Sequence, residues 1–427
     1  MNIENLHQLF LSAKGISTDT RSVTKGALFF ALKGKNFNGN DFAKKALSSG
    51  VSYCIIDEVQ APTDKRFILV DDVLQTLQNL ANFHRKYLGI PIIALTGSNG
   101  KTTTKELVNA VLTQQFNTYA TQGNYNNHIG VPLTILQMDK TTEIGIVEMG
   151  ANHIGEIAQL CQIADPNYGY ITNFGKAHLE GFGSEEGVVK AKSELYNYLK
   201  QNNGTIFLNN EDKKQVKQVD DYQNIISFSS KKNSDHIIKL QNELPFVNVK
   251  VDDVYIQTNL LGYYNFTNIA AAISMGLYFK LELDVIKIGI ESYVPKNNRS
   301  QIIEQNSNTI ILDAYNANPT SVEAALQNLE AMKGYQKVVI LGDMFELGSD
   351  SSSEHLSIIS KVNDFDFTKA YFVGTHFLKH QQEFTFAHFF KNVEDIKTHF
   401  KDTPIKDTLV LVKGSRGMAL EQLLPVL

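Results

Sequence analysis

The stretch "IIALTGSNGKTTTKELVNAVL", residues 92–112, joins an apolar run to a helical pattern through two glycines, a lysine and three threonines. Ile92, Ile93, Ala94 and Leu95 read as a buried strand, while Leu107, Val108, Val111 and Leu112 recur at helical spacing. Gly97 and Gly100 let the backbone turn so that its N–H groups face an anion, and the helix N-terminus adds partial positive charge. Gly97, Ser98, Asn99, Gly100, Lys101, Thr102 and Thr103 thus read as a phosphate cradle. Lys101 would reach the β/γ-phosphates, and Thr102 or Thr103 would offer a hydroxyl to Mg²⁺. Leu95 occupies the place of the usual first glycine, so the loop is the shorter T-G-x-x-G-K-T-T form. This feature commits its part of the chain to an α/β layer that binds a nucleoside triphosphate at strand ends.

The loop accounts for a small part of 427 residues, a length that suggests two to four domains. Hydrophobic content of 43% and charged content of 20% describe an ordinary globular chain. A net charge of -5 argues against a surface that coats nucleic acid, so anionic ligands must be met by local sites. Cys54 and Cys161 lie far apart, which excludes a disulfide framework and a cysteine zinc site. The opening "MNIENLHQLF" lacks a signal pattern and no apolar run approaches spanning length, so a cytoplasmic protein without a membrane span is expected.

Three blocks follow from the patterning. Residues 1–83 hold apolar strands at 27–32 and "VSYCII", with Gly, Asn and Asp in the connections. Asp19 and Arg21, taken alone, read as a surface ion pair. Residues 84–296 open with the phosphate loop and continue to a strand, Ile144 to Val147, that ends in Glu148. A carboxylate at that strand end is placed to hold Mg²⁺. A helix at "EEGVVKAKSELYNYL" carries Lys190 and Lys192, which residue type alone would leave in solvent. Residues 297–427 alternate "TIILDAYN", "KVVILGD", "KAYFVG" and "TLVLVKGS" with helices, the rhythm of a parallel sheet. Thr320 and Glu323 are expected to form a capping box for the helix in "NPTSVEAALQNLEAM". Asp313, Asp343 and the Lys413-Gly414-Ser415-Arg416 run fall at three strand ends on one edge.

Beyond the loop, "GNYNNHIGVPLTIL" (123–136), "EMGANHIGEI" (148–157) and "AHLEGFGS" (177–184) resemble the Mur ligases of peptidoglycan synthesis. The resemblance covers essentially the whole chain, and the loop itself is shared with folylpolyglutamate synthases. "YNANP" (315–319), "LGDMFELG" (341–348) and "VKGSR" (412–416) look like the branch that adds D-alanyl-D-alanine to UDP-N-acetylmuramoyl-tripeptide. The resemblance implies an α/β protein of three domains: an N-terminal UDP-sugar domain, a central P-loop ATPase and a Rossmann-like C-terminal domain. It places Asp19, Thr20 and Arg21 near the uridine nucleotide, and Asn124, Asn126 and Asn127 between the UDP-sugar and the loop. Glu148 and His178 match magnesium ligands, and Lys192 matches a lysine that family members carbamylate. Asn265 and Asn268 match adenine contacts, while Arg299 and Asp313 match groups brought to ATP phosphate and ribose. Departures are Tyr264 where a histidine is usual, "NGND" at 38–41 in place of Asp-Gly-His-Asp, and Ser300 after Arg299.

The chemistry so implied is amide ligation with ATP, two magnesium ions and a carbamylated Lys192, by a monomer. Phosphorylation of a carboxylate gives it a leaving group, and Lys101, magnesium and Arg299 would stabilise the transferring phosphoryl. Asp343, Phe345, Lys413 and Arg416 would select the dipeptide, with Lys413 or Arg416 meeting its carboxylate. The rivals are a sister ligase that adds one amino acid, a folylpolyglutamate synthase, and a switch that hydrolyses ATP to change shape.

Overall fold

Aliphatic runs become the interior strands of three sheets in the computed structural model, which describes residues 1–59, 64–231, 233–243, 245–334 and 336–427. The first sheet is parallel in the order Ile16–Ser17, Leu28–Phe30, Tyr53–Ile56, Phe67–Leu69. Phe29, Ala31, Cys54 and Ile56 pack one small core against the Ala43–Ser48 helix.

The central sheet has nine strands, and Ile92–Thr96 lies between Tyr168–Ile171 and Ile144–Glu148. Both pairings are parallel, and Ile92–Thr96 and Ile144–Glu148 are buried throughout, as strands covered on both faces must be. His236–Glu243, Phe246–Val251 and Val254–Ile256 extend the sheet as an antiparallel edge. The Lys101–Leu112 helix packs on Phe266–Tyr278, whose small residues Ala270, Ala271 and Ala272 are fully covered.

The third sheet runs Gln301–Gln305, Asn308–Asp313, Thr408–Lys413, Gln336–Gly342, Lys369–Val373, His388–Phe390. The first of these strands is antiparallel to its neighbour and the other pairings are parallel, the expected Rossmann-like pattern. Parallel pairing puts the ends of Asn308–Asp313, Thr408–Lys413 and Gln336–Gly342 on one edge.

One sequence expectation needs correction. The helix Pro319–Ala331 is capped by Asn318, not Thr320: Asn318 Oδ1 accepts from Ser321 N at 2.9 Å, and Ser321 Oγ accepts from Asn318 N. Pro at the first helical position, with no N–H to satisfy, draws the start two residues earlier than a Thr/Glu box implies. The junction expected at 83/84 falls inside one continuous helix, Val73–Leu88. Asp72 caps it and Gly89, at φ 64°, ends it. Its Leu77, Leu80 and Ala81 share a core with Leu28 and Phe30 on one side and Val131 and Leu160 on the other. Arg85 fastens the helix to the central domain through the carbonyls of Ala164 and Asp165.

Candidate active site

The phosphate loop takes the expected shape. Gly97 and Gly100 have φ of 141° and 81°, and a Cβ on Gly100 would stand 2.6 Å from Asn268 Oδ1. Asn268 is thus pressed against the loop, bonded to Thr104 Oγ1 at 3.0 Å and to Asn265 Oδ1 at 2.9 Å. Both asparagines are buried and line the cleft. Lys101 Nζ folds back to donate to the carbonyls of Gly97 (2.6 Å) and Ser98 (3.3 Å). Burial lowers its pKa, and Arg299 adds repulsion while Glu148 opposes the shift. A cation held against its burial cost is a receptor for a polyanion, which would relieve that cost.

Glu148 is 2% exposed. Its Oε1 accepts from Asn126 Nδ2 at 2.8 Å, whereas Oε2 has no hydrogen-bond partner among the described residues. A buried carboxylate oxygen left unpaired fits a cation. Lys192 departs from the solvated expectation: it is 1% exposed, because the helix Glu185–Gln201 turns this residue toward the sheet. Its Nζ donates to Ala151 O at 3.3 Å and lies 5.0 Å from the centroid of the Phe182 ring. Burial lowers its pKa well below the usual lysine range, reinforced by Lys101. His178, at φ 52°, points Nδ1 to within 2.5 Å of Glu346 Oε2 in the C-terminal domain. That contact holds the Glu346 carboxyl below its ordinary pKa.

The C-terminal domain completes the walls. The Arg299 guanidinium stacks 3.7 Å from the centroid of Tyr315. Asp313 accepts from Lys413 Nζ at 2.6 Å and from Ser300 N at 3.2 Å. Asn318 Nδ2 donates to Asn99 Oδ1 in the phosphate loop at 2.7 Å. Lys176 Nζ pairs with Glu354 at 2.8 Å, and its N–H donates to Thr320 Oγ1. Between the domains lies a cleft of about 640 Å³ lined by Ser98 to Thr103, Asn124, Asn126, Asn127, Glu148, His178, Asn265, Asn268, Arg299, Asp313, Lys413 and Arg416.

Several expected residues stand elsewhere. Asp343 is 2% exposed, and its oxygens accept from His376 N (2.9 Å) and Phe377 N (3.0 Å). It anchors the turn after the neighbouring strand, and its carboxylate is not part of the cleft wall. Phe345 lies partly exposed against Gly417, also off the cleft wall. Lys413 is 2% exposed and donates to Asp313 and the Asn316 carbonyl, whereas Arg416 is the more exposed cation of that run and pairs with Glu421 at 2.7 Å. Asp19 and Arg21 form an exposed bidentate pair within the N-terminal domain, with Thr20 between them and outside this cleft. Lys192 sits behind the wall, one carbonyl from the cleft at Ala151.

"YNANP" and "LGDMFELG" contain Asn318 and Glu346, two residues that bridge the domains and that the sequence does not single out. An Asn directly before Pro at a helix start was the available signal for Asn318. Nothing local marks Glu346, whose partner is far away in the chain.

A phosphate loop on one domain, roofed by strand ends and a helix N-terminus of another, defines a nucleotide-type cleft built between two domains. Residues 12–85 match the "Mur ligase family, catalytic domain", 95–276 the "Mur ligase middle domain" and 298–416 the "Mur ligase, glutamate ligase domain". The chain belongs to the Mur ligase family. It is 35% identical to the UDP-N-acetylmuramoyl-tripeptide–D-alanyl-D-alanine ligase of Bacillus subtilis, over 96% of this chain and 92% of that one. The Escherichia coli enzyme of the same name is 33% identical over 98% and 94%. Among solved structures, MurF of Acinetobacter baumannii superposes with a TM-score of 0.87 at 29% identity, covering 98% and 97%. MurF ligase of Thermotoga maritima in complex with ADP gives 0.86 at 28%, covering 98% and 97%.

Proposed function

We propose that the protein is an ATP-dependent ligase that joins D-alanyl-D-alanine to UDP-N-acetylmuramoyl-tripeptide, producing the pentapeptide precursor of peptidoglycan. The observation that carries this is the shared cleft, in which Asn99 of the phosphate loop and Asn318 of the C-terminal domain are directly bonded. A nucleotide held between two domains, each with free polar groups facing it, suits transfer between two further substrates. A switch protein needs no such second wall. The long likeness to enzymes that add D-alanyl-D-alanine favours that acceptor over a single amino acid.

The geometry supports the following order. The tripeptide carboxylate oxygen attacks the γ-phosphorus of ATP, the bond to the β-bridging oxygen breaks, and ADP leaves. Lys101 and Arg299 face the cleft from opposite domains and offset the charge that spreads over the phosphoryl oxygens. The dipeptide amine then attacks the acyl phosphate, a tetrahedral species forms, phosphate departs and the amine nitrogen loses its proton. Domain contacts at His178–Glu346, Lys176–Glu354 and Asn99–Asn318 close the cleft and keep water from the acyl phosphate. Arg416, exchanging its Glu421 partner, would meet the dipeptide carboxylate.

Glu148, with its unpaired Oε2, Thr102 and His178 are the residues that would hold magnesium. No group of three or more His, Cys, Asp and Glu able to cage a metal occurs among the described residues, which suits an ion that keeps water and phosphate oxygens in its shell. When bound, magnesium would neutralise phosphate charge. Burial lowers the Lys192 pKa, which favours the neutral amine that would add CO₂ and release a proton to give a carbamate. A cytoplasmic, monomeric ligase is part of the proposal; among the described residues no helix is long and apolar enough to cross a membrane. The test is mass spectrometry of the product from UDP-N-acetylmuramoyl-tripeptide, ATP and D-alanyl-D-alanine. The pentapeptide mass with one ADP per product supports the reading. ATP turnover without acceptor, or addition of single alanine in preference, overturns it.

A further inference from the structure

We infer that the hydroxyls of Tyr264 and Ser300 form a latch that sets the interdomain linker in the shape presenting Arg299 and Asp313 to the nucleotide. The inference rests on the ATP-ligase reading for its purpose, though not for its test. The linker has an unusual backbone: Asn297, Asn298 and Ser300 all have positive φ, at 58°, 57° and 48°. Asparagine tolerates the left-handed region through local hydrogen bonding, but serine adopts it only where surroundings hold it there. Two contacts hold Ser300, which is 7% exposed. Its N–H donates to Asp313 Oδ1 at 3.2 Å, and its Oγ meets Tyr264 OH at 2.8 Å.

Tyr264 belongs to the central domain, in the turn Tyr263–Asn265 that leads into the helix Phe266–Tyr278. Burial raises its phenol pKa, so the group stays a neutral hydroxyl able to share a proton with Ser300. On the far side of the linker, Tyr315 N donates to Asn298 O at 3.1 Å while the Tyr315 ring carries Arg299. Arg299 therefore sits between two left-handed residues pinned from two directions. Release of Ser300 would let its φ relax, turn the Arg299 side chain and break the N–H bond to Asp313. Tyr264, Arg299, Ser300, Asp313 and Tyr315 all line the same cleft. Tyr264 and Ser300 are positioning residues, acting through Arg299 and Asp313.

The test compares Tyr264→Phe, Ser300→Gly and the double variant in the full chain. Calorimetry reads binding of ADP with magnesium, and steady-state assays read each substrate. Each single variant should weaken ADP binding and raise the ATP KM about fivefold, the equilibrium worth of one net hydrogen bond. The KM for the UDP-sugar should stay at the parent value, while kcat at saturating ATP should fall, because a turned Arg299 no longer faces the transferring phosphoryl. Glycine adopts positive φ freely, so a loss that persists in Ser300→Gly belongs to the hydroxyl. The double variant should be no worse than the poorer single one, because the two hydroxyls make one bond. Unchanged ADP affinity in Tyr264→Phe, additive losses, or equal weakening of every substrate with a lowered melting temperature would each overturn the latch. A parent protein that binds ADP but makes no pentapeptide would refute the ligase reading and leave this result standing.

Discussion

Asn318 does two jobs with one amide, and a single substitution separates them. Its Oδ1 caps the helix Pro319–Ala331 by accepting from Ser321 N, and its Nδ2 donates to Asn99 Oδ1 across the domain boundary. In Asn318→Ala both are lost: the cap contributes about 1 kcal/mol to stability, and the bridging bond about 1 kcal/mol to closure. In Asn318→Asp the cap survives, since aspartate accepts as well as asparagine and its charge favours the helix N-terminus. The bridge does not survive as it stands, because a carboxylate oxygen would face Asn99 Oδ1. Asn99 can recover only by turning its amide, which exchanges the Nδ2 now lying buried and unpartnered among the described residues for an acceptor. Either way the phosphate loop loses a donor or a closing contact, and the added negative charge lies close to the triphosphate. The Ala variant should therefore melt about 1 °C lower per kcal/mol lost in a chain of 427 residues, whereas the Asp variant should keep the parent melting temperature. Both should raise the ATP KM, about fivefold for Ala and tenfold or more for Asp once charge repulsion is included. Differential scanning calorimetry and initial rates at varied ATP read the two effects separately. An Asp variant with parental ATP KM, or one as unstable as the Ala variant, refutes this division of labour.

Lys192→Ala should be nearly inactive and partly restored by a short carboxylate such as acetate, while the parent enzyme should gain activity with added bicarbonate; an active, bicarbonate-insensitive variant returns Lys192 to a packing role. Arg416→Ala should raise the KM for D-alanyl-D-alanine with little change in that for ATP, and equal weakening of both would remove it from the dipeptide. His84 donates from Nε2 to Met138 O, so its Nδ1 accepts from His7 Nε2 at 3.0 Å, and burial lowers both pKa values from 6.5. The folded state then binds fewer protons than the unfolded one below that value, so stability is fully present above pH 6.5 and falls as pH drops toward the folded pKa values, at about 1.4 kcal/mol per pH unit per group. Urea midpoints at pH 7.5 and 5.5 should converge in a His7→Leu/His84→Leu variant, and an undiminished acid loss there would exclude the pair as its source.

Residues 92–112 were enough to place the strand, the loop and the helix, because a phosphate loop is built from neighbours in sequence and its glycines are required by local backbone geometry. The parallel C-terminal sheet was legible for the same reason: Thr309 to Asp313, Val338 to Gly342 and Leu409 to Lys413 are short apolar runs bounded by turns. The Asn318 cap was within reach, since the Asn-Pro pair states it, and the Thr320 reading failed by preferring a box pattern over a proline start. Tertiary structure alone decided which charged groups are free. Asp343 looks equivalent to Glu148 along the chain, yet both Asp343 oxygens are taken by backbone N–H groups. Glu148 keeps one oxygen without a hydrogen-bond partner among the described residues, and Lys413 and Arg416 pair with different acids, Asp313 and Glu421. Lys192 reads as one more lysine on a helix until folding buries it. His178 meets Glu346, and Tyr264 meets Ser300, across separations that no periodicity records. Local pattern reports the conformation a segment prefers; whether a side chain remains available depends on which distant partner reaches it first, and that is set by the docking of domains.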